Sequence, residues 1–129
     1  MSMTLNLEIG VGVKLEDVTQ ALSCVDNVEI TNKGSSLEAY FPNSNVSIWI
    51  KTELADTKVL TESLNNVDWK VDMRMYFDID PTLPNALDEI NKFIFALSKS
   101  TSAPFVLSFE YDTLYARSDG NGVVLSGGF

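Results

Sequence analysis

The most regular pattern in the chain is a strict alternation of apolar and polar residues over residues 67–80, VDWKVDMRMYFDID. Successive side chains of a strand point to opposite faces, so this period of two predicts one long strand with one face in the core and the other toward water. A strand of this length would reach about 45 Å, which is longer than most sheets pair along. We therefore expect a bend, a bulge or a protruding end within it.

The remaining patterns predict two helices and several shorter strands. Apolar residues spaced three and four apart indicate a short amphipathic helix over residues 14–24 and a main helix over residues 83–98, with Asp80 or Thr82 as its candidate cap. Residues 52–66 carry only a weak helical pattern. Alternation between turn-forming residues predicts further strands over residues 4–11, 27–31, 36–41, 46–51, 105–111, 114–117 and 122–126.

This order of elements predicts a single α+β domain over residues 1–129. A chain of 129 residues is large enough for one core and too small for two. Two helices cannot cover both faces of so wide a sheet, so we expect a twisted, mainly antiparallel sheet with both helices packed on one face. The other face is expected to be largely open to water. Met73 and Met75 share the apolar side of the long strand and are assigned to the core.

Charge is the feature of the composition that changes this picture most. Eighteen Asp and Glu oppose nine Lys and Arg, which gives a net charge of −9. Such a field repels nucleic acid and anionic lipid and attracts cationic partners. No apolar stretch approaches the ~20 residues needed to cross a bilayer. The first residues show no export signal and Cys24 is the only cysteine, so we predict a cytoplasmic protein that binds neither nucleic acid nor membrane.

The side chains that usually carry catalysis are scarce. There is no histidine, which removes the usual general base, the usual zinc ligand and every Ser-His or Cys-His nucleophile. No phosphate-binding glycine loop is present either. We therefore predict no enzymatic activity, no cofactor and no metal. The acidic pairs Asp78 with Asp80 and Glu110 with Asp112 leave a small ligand- or metal-binding domain as the weakest alternative. Cys24 is expected to be a small buried residue.

The chain resembles small acidic immunity proteins of bacterial polymorphic-toxin systems, including those of contact-dependent growth inhibition. The matching stretches are residues 5–22, LNLEIGVGVKLEDVTQAL, and residues 73–125, within which ALDEINKFIFALSKSTSAPFVLSFEYDTLYARSDGNGVVL carries most of the likeness. The resemblance covers about half of the chain and rests on the pattern of apolar positions. It implies a cytoplasmic protein that tightly binds one cognate toxin domain, often a cationic nuclease, and neutralises it. A monomer is favoured.

The candidate contacts with such a partner follow from strand geometry, because the family supplies no transferable residue motif. In residues 46–51 every second residue is apolar, and Trp49 lies at one of the intervening positions. The alternation therefore places the indole on the wetter face, where it could anchor a partner protein. The equally weighted alternative is that residues 52–66 cover the Trp49 side chain. The candidate residues on strand polar faces are Trp49, Asp68, Asp72, Tyr76, Asp78 and Asp80.

A type III secretion chaperone that binds an effector is the strongest rival interpretation. Such chaperones are also small, acidic, cytoplasmic and mixed α+β. They typically begin and end with helices, whereas this chain is predicted to begin and end with strands. The order of elements therefore favours the immunity protein.

Overall fold

A computed structural model describes residues 3–34, 36–61, 67–120 and 122–125. The described residues form one eight-stranded sheet and two helices. In chain order the elements are β1 (Met3–Gly10), α1 (Leu15–Leu22), β2 (Glu29–Asn32), β3 (Ser36–Phe41), β4 (Val46–Lys51), β5 (Val71–Ile79), α2 (Asn85–Ser100), β6 (Phe105–Phe109), β7 (Thr113–Ser118) and β8 (Val123–Leu125). All strand pairs are antiparallel, and the strand order across the sheet is β2-β3-β4-β5-β1-β6-β7-β8. The predicted α+β class is confirmed.

The core lies between the two helices and one face of the sheet. Strand β1 is central, and its apolar residues Leu5 and Leu7 lie opposite Phe77 and Met75 of β5 in the register of the sheet. The Phe77 ring packs against Phe93 of α2 with a centroid distance of 5.7 Å. All five side chains are fully buried, and burying each contributes about 1.5–3 kcal/mol. Met73 is buried with them, so both methionines belong to the core as predicted.

The long alternating segment forms a shorter strand than its pattern predicts. The register slips between Ile9 and Gly10, so that Ile9 lies opposite Met73 while Gly10 lies opposite Val71, and Asp72 is the extra residue of a bulge. The expected bulge is therefore present. Residues 67–70 are not in the strand, because β1 ends at Gly10 and, within the part of the chain that the structure describes, neither neighbour of β5 continues beyond that point.

The bulge requires a glycine at position 10. A Cβ added there would lie 2.8 Å from Pro104 Cγ and 3.0 Å from Trp69 Cε3, and the Gly10 amide donates to the Pro104 carbonyl at 2.7 Å. We expect Gly10→Ala to lower the free energy of unfolding by about 1–3 kcal/mol, since the added methyl group overpacks this corner. Urea denaturation measures the loss. The double variant Gly10→Ala/Pro104→Ala should recover part of it, and an unchanged stability of the single variant would contradict the packing.

Residues 52–61 do not form the weak helix that their pattern allows. They run as an irregular segment, which we call the strap, across the sheet face opposite the helices. The remainder of the predicted segment, residues 62–66, lies outside the described residues. The strap forms no helix because side chains of the sheet, rather than its own backbone, pair with its backbone groups. The face opposite the helices, the outer face, is consequently covered at its centre and not largely open as predicted.

Two smaller predictions are also wrong. Neither Asp80 nor Thr82 caps α2, since Pro84 holds the N-cap position without a side-chain hydrogen bond and Asp80 binds Thr82 within the preceding turn. Cys24 is exposed, because α1 ends at Leu22 and the cysteine lies in the turn beyond it. Among the described residues, no helix combines the length and apolar character needed to cross a membrane.

Candidate protein-binding face

The outer face is built from the polar positions of the alternating strands. The register of the sheet places Trp49 of β4 opposite Tyr76 of β5, and Tyr76 in turn opposite Asn6 of β1. Two residues further along β5, Asp78 lies opposite Ser47. Because side chains of aligned residues share a face, these residues form a continuous band across the middle strands. The strap divides this band into a covered and an uncovered part.

The covered part holds a buried ion pair. Glu8 of β1 and Arg74 of β5 lie opposite one another, with side chains 0% and 5% exposed and Oε2 3.4 Å from Nη2. The Glu8 carboxylate accepts hydrogen bonds from the Leu60 amide at 2.6 Å, the Thr61 amide at 3.1 Å and the Thr61 hydroxyl at 2.6 Å. Charge-assisted bonds of this kind are about twice as strong as neutral ones. Glu8 therefore fixes the end of the strap.

Arg74 fixes the middle of the strap. Its guanidinium donates to the carbonyl oxygens of Asp56 and Lys58, the latter at 2.5 Å from Nη2. The Thr57 carbonyl also accepts a hydrogen bond from the amide of Val71 at 2.7 Å. A buried charge is tolerated only when it is paired and hydrogen-bonded, and here the strap backbone supplies most of those partners.

The uncovered part spans β2 to β5 and centres on Trp49. The indole side chain is 41% exposed even with the strap in place, so residues 52–61 do not cover it. Depressions lie on both sides of the ring. One is lined by residues of β2, β3 and β4, namely Glu29, Thr31, Lys33, Glu38, Ala39, Tyr40, Ser47, Ile48 and Trp49. The other is lined by residues of β3, β4 and β5, namely Ser36, Leu37, Glu38, Trp49, Ile50, Lys51 and Tyr76. Trp49 thus forms a ridge between the two depressions, and side chains of a partner placed in them would contact the indole.

A strained turn brings one more aromatic residue to this face. Glu110 and Tyr111, between β6 and β7, both have positive φ, at 50° and 63°, and the Asp112 amide donates to the Phe109 carbonyl at 2.8 Å, as in a type I′ turn. Bulky residues rarely adopt this conformation. The Tyr111 hydroxyl is hydrogen-bonded to Tyr76, and burial together with that neighbour raises the pKa of Tyr111 above its usual value. The turn therefore holds the Tyr111 phenol against Tyr76.

The end of the molecule where β5 terminates is rich in acidic side chains, and we call it the acidic end. Four connections meet there, residues 23–28, 42–45, 80–84 and 110–112, as shown by the hydrogen bonds that Asn43 makes with Asn27 and Asn85. They contain Asp26, Asp80, Glu110 and Asp112 and no lysine or arginine. Lys14, Lys33, Lys51, Lys70, Lys99 and Arg117 lie at or near the connections of the opposite end. The opposite end also carries acidic residues, among them Asp17, Glu53, Asp68 and Asp119, so its charge is mixed.

The structure brings three of the six predicted contact residues together. Trp49, Tyr76 and Asp78 lie side by side on the uncovered part of the outer face, and Asp78 Oδ1 is buried without a hydrogen bond from the described residues. Asp80 lies just beyond at the acidic end. There the side-chain and backbone hydrogen bonds from Thr82 lower the pKa of its carboxyl group.

The other two predicted residues lie elsewhere. Asp72 is exposed in the bulge of β5, at the far end of the strand from Asp78. Asp68 lies before the strand and lines a separate groove with Trp69, Pro104 and Arg117. The alternating pattern suggested one shared face, but the bulge and the early end of pairing separate both residues from Trp49.

Sequence reasoning missed the residues that organise the covered part. Glu8 and Arg74 each occupy an ordinary polar position of an alternating strand, and they are 66 residues apart in the chain. Tyr111 was missed because Glu-Tyr is not a turn-forming pair. Only the strand register, which no local pattern contains, brings these three residues to one site.

Among the described residues, no group of three or more Asp, Glu or Cys side chains is placed to hold a metal ion. Comparison of the chain with protein-family models, with curated proteins and with solved structures returned no match.

Proposed function

We propose that the chain is an immunity protein that binds a cognate cationic toxin domain in the cytoplasm and neutralises it. The observation that carries the proposal is Trp49, which is exposed on the outer face next to the half-buried Tyr76 and near the acidic end. A large exposed aromatic residue near a cluster of acidic side chains is typical of surfaces that recognise a cationic protein.

The aromatic pair would supply most of the binding free energy. Tryptophan and tyrosine are enriched among the interface residues whose truncation costs more than about 2 kcal/mol, and they lie near the centre of the buried patch. Trp49 meets this description because depressions flank it on both sides. A partner side chain placed in either depression would contact the indole and exclude water from it.

The acidic end would orient the approaching toxin domain and raise the rate constant of association. Because the charged side chains of its four connections are all acidic, a cationic domain approaching from solution is steered toward that end before any contact forms. If the toxin is a nuclease, carboxylates at these positions would occupy the places of substrate phosphates.

The test is affinity capture from the bacterium that encodes the chain, with the chain as bait and mass spectrometry as readout. We expect recovery of the C-terminal domain of one large secreted protein. The recombinant domain should then bind the chain with a nanomolar Kd that weakens as salt is raised. A captured set of secretion effectors, bound through unfolded N-terminal segments, would overturn the proposal in favour of a secretion chaperone.

A further inference from the structure

The contacts between the strap and the outer face are mainly contacts with its backbone. Glu8 accepts from the amides of residues 60 and 61, and Arg74 donates to the carbonyl oxygens of residues 56 and 58. A buried carboxylate that binds N–H groups and a buried guanidinium that binds C=O groups together recognise an extended main chain of almost any sequence. The two charged side chains and the floor of β1 and β5 thus form a main-chain-binding cleft.

Only two side chains of the strap enter this cleft. Val59 is 5% exposed and Thr61 is 0% exposed, whereas Leu60 between them is 41% exposed. Such alternation is that of an extended segment whose every second side chain points inward. The Thr61 hydroxyl lies 2.6 Å from the Glu8 carboxylate and 3.1 Å from the Ser108 hydroxyl. The cleft therefore selects a β-branched apolar residue followed, two positions later, by a hydroxyl residue.

The strap is held in a way that permits its release. Val59 is its only hydrophobic side chain that is buried, and it is not part of the main hydrophobic core. When the strap leaves, Glu8 and Arg74 regain the hydration that they lost on burial, which offsets much of the lost bonding. Segments with few buried apolar contacts open at free energies far below that of global unfolding. In addition, Arg74 Nε is buried without an acceptor among the described residues, so the strap leaves one donor of the cleft unused.

We propose that this cleft is a peptide-binding site occupied in cis by the strap, and that an extended segment of a protein partner with the pattern Val-x-Thr displaces it. The strap competes as a tethered ligand whose effective concentration is in the millimolar range, so a free peptide competes poorly against the unaltered chain. Weakening the strap while keeping Glu8 and Arg74 intact removes that competition. This inference is independent of the proposed toxin partner, because it concerns a different part of the outer face.

The experiment uses the full chain carrying Val59→Ser and Thr61→Ala, together with a fluorescent peptide of the strap sequence LADTKVLT. Anisotropy should show this peptide binding the variant more than ~10-fold tighter than the control peptide LADTKSLA, which lacks the two inward side chains. The unaltered chain should bind LADTKVLT more weakly than the variant does. Equal binding of both peptides, or no binding to a variant whose circular dichroism is native, would overturn the inference.

Hydrogen exchange of the unaltered chain provides a second measurement if the variant fails to fold. We expect the amides of Leu60 and Thr61 to exchange at least ~100-fold faster than those of the paired residues Leu5 and Leu7, because the strap opens while the sheet stays closed. Exchange of all four amides at the same rate, limited by global unfolding, would show that the strap is a fixed part of the fold and would overturn the inference.

Discussion

Replacing Glu8 by glutamine is expected to lower the free energy of unfolding by about 3–5 kcal/mol. The substitution keeps the shape of the side chain but leaves the buried guanidinium of Arg74 without its counter-charge. Glutamine keeps only one acceptor oxygen, so either the Leu60 amide or the Thr61 donors then face an amide N–H₂ and lack an acceptor. Since a domain of this size is stable by only about 5–15 kcal/mol, the loss is a large fraction of the total. Urea denaturation followed by circular dichroism measures it.

Glu38→Gln is the matched control. Glu38 forms an ion pair with Lys33 at 3.0 Å, which is geometrically as good as that of Glu8, but its side chain is 37% exposed. Exposed pairs contribute little, so the same chemical change should cost less than about 1 kcal/mol. Equal losses from the two variants would show that burial of the Glu8–Arg74 pair does not govern the stability of the outer face.

Replacing Trp49 by alanine is expected to weaken binding of the captured toxin domain by at least ~30-fold, while the loss of partly buried surface lowers the free energy of unfolding by only about 1–3 kcal/mol and leaves the chain folded. The indole lies centrally on the uncovered part of the outer face, and truncation removes the ridge between its two depressions. Isothermal titration calorimetry and urea denaturation separate the two effects.

Phe95→Ala provides the control for Trp49→Ala. Phe95 lies on α2, on the opposite side of the sheet, and is 42% exposed, against 41% for Trp49. Both substitutions therefore remove a similarly exposed aromatic ring. Only the one on the outer face should alter affinity. A loss of binding in the Phe95 variant with none in the Trp49 variant would place the interface on the helices.

The features of this structure that the sequence predicts are those that depend only on the regular spacing of apolar residues within one helix or strand. The alternation in β5 predicts that its apolar side chains lie in the core, and the alternation in β4 predicts that Trp49 faces away from the core. Both predictions require only that successive strand residues alternate. The helix α2 follows in the same way from its apolar stripe.

The parts that do not follow depend on contacts distant in the chain. The strap has a weak helical pattern, but Glu8 and Arg74 bind its backbone from strands that no local signal connects to it. Asp68 and Asp72 lie an even number of residues before Asp78, so simple alternation would put all three on one face. The bulge opposite Gly10 and the end of β1 place Asp68 and Asp72 elsewhere. Propensity is overridden wherever such long-range hydrogen bonds are stronger than local preferences.

The most direct test of the proposed function is a growth measurement on cells that express the captured toxin domain. We predict that the domain alone stops growth and that co-expression of this chain restores it. The Phe95→Ala variant should restore growth equally well, whereas Trp49→Ala should restore it only when expressed in large excess. A captured domain that remains fully toxic in the presence of the unaltered, folded chain would show that this chain is not its immunity protein.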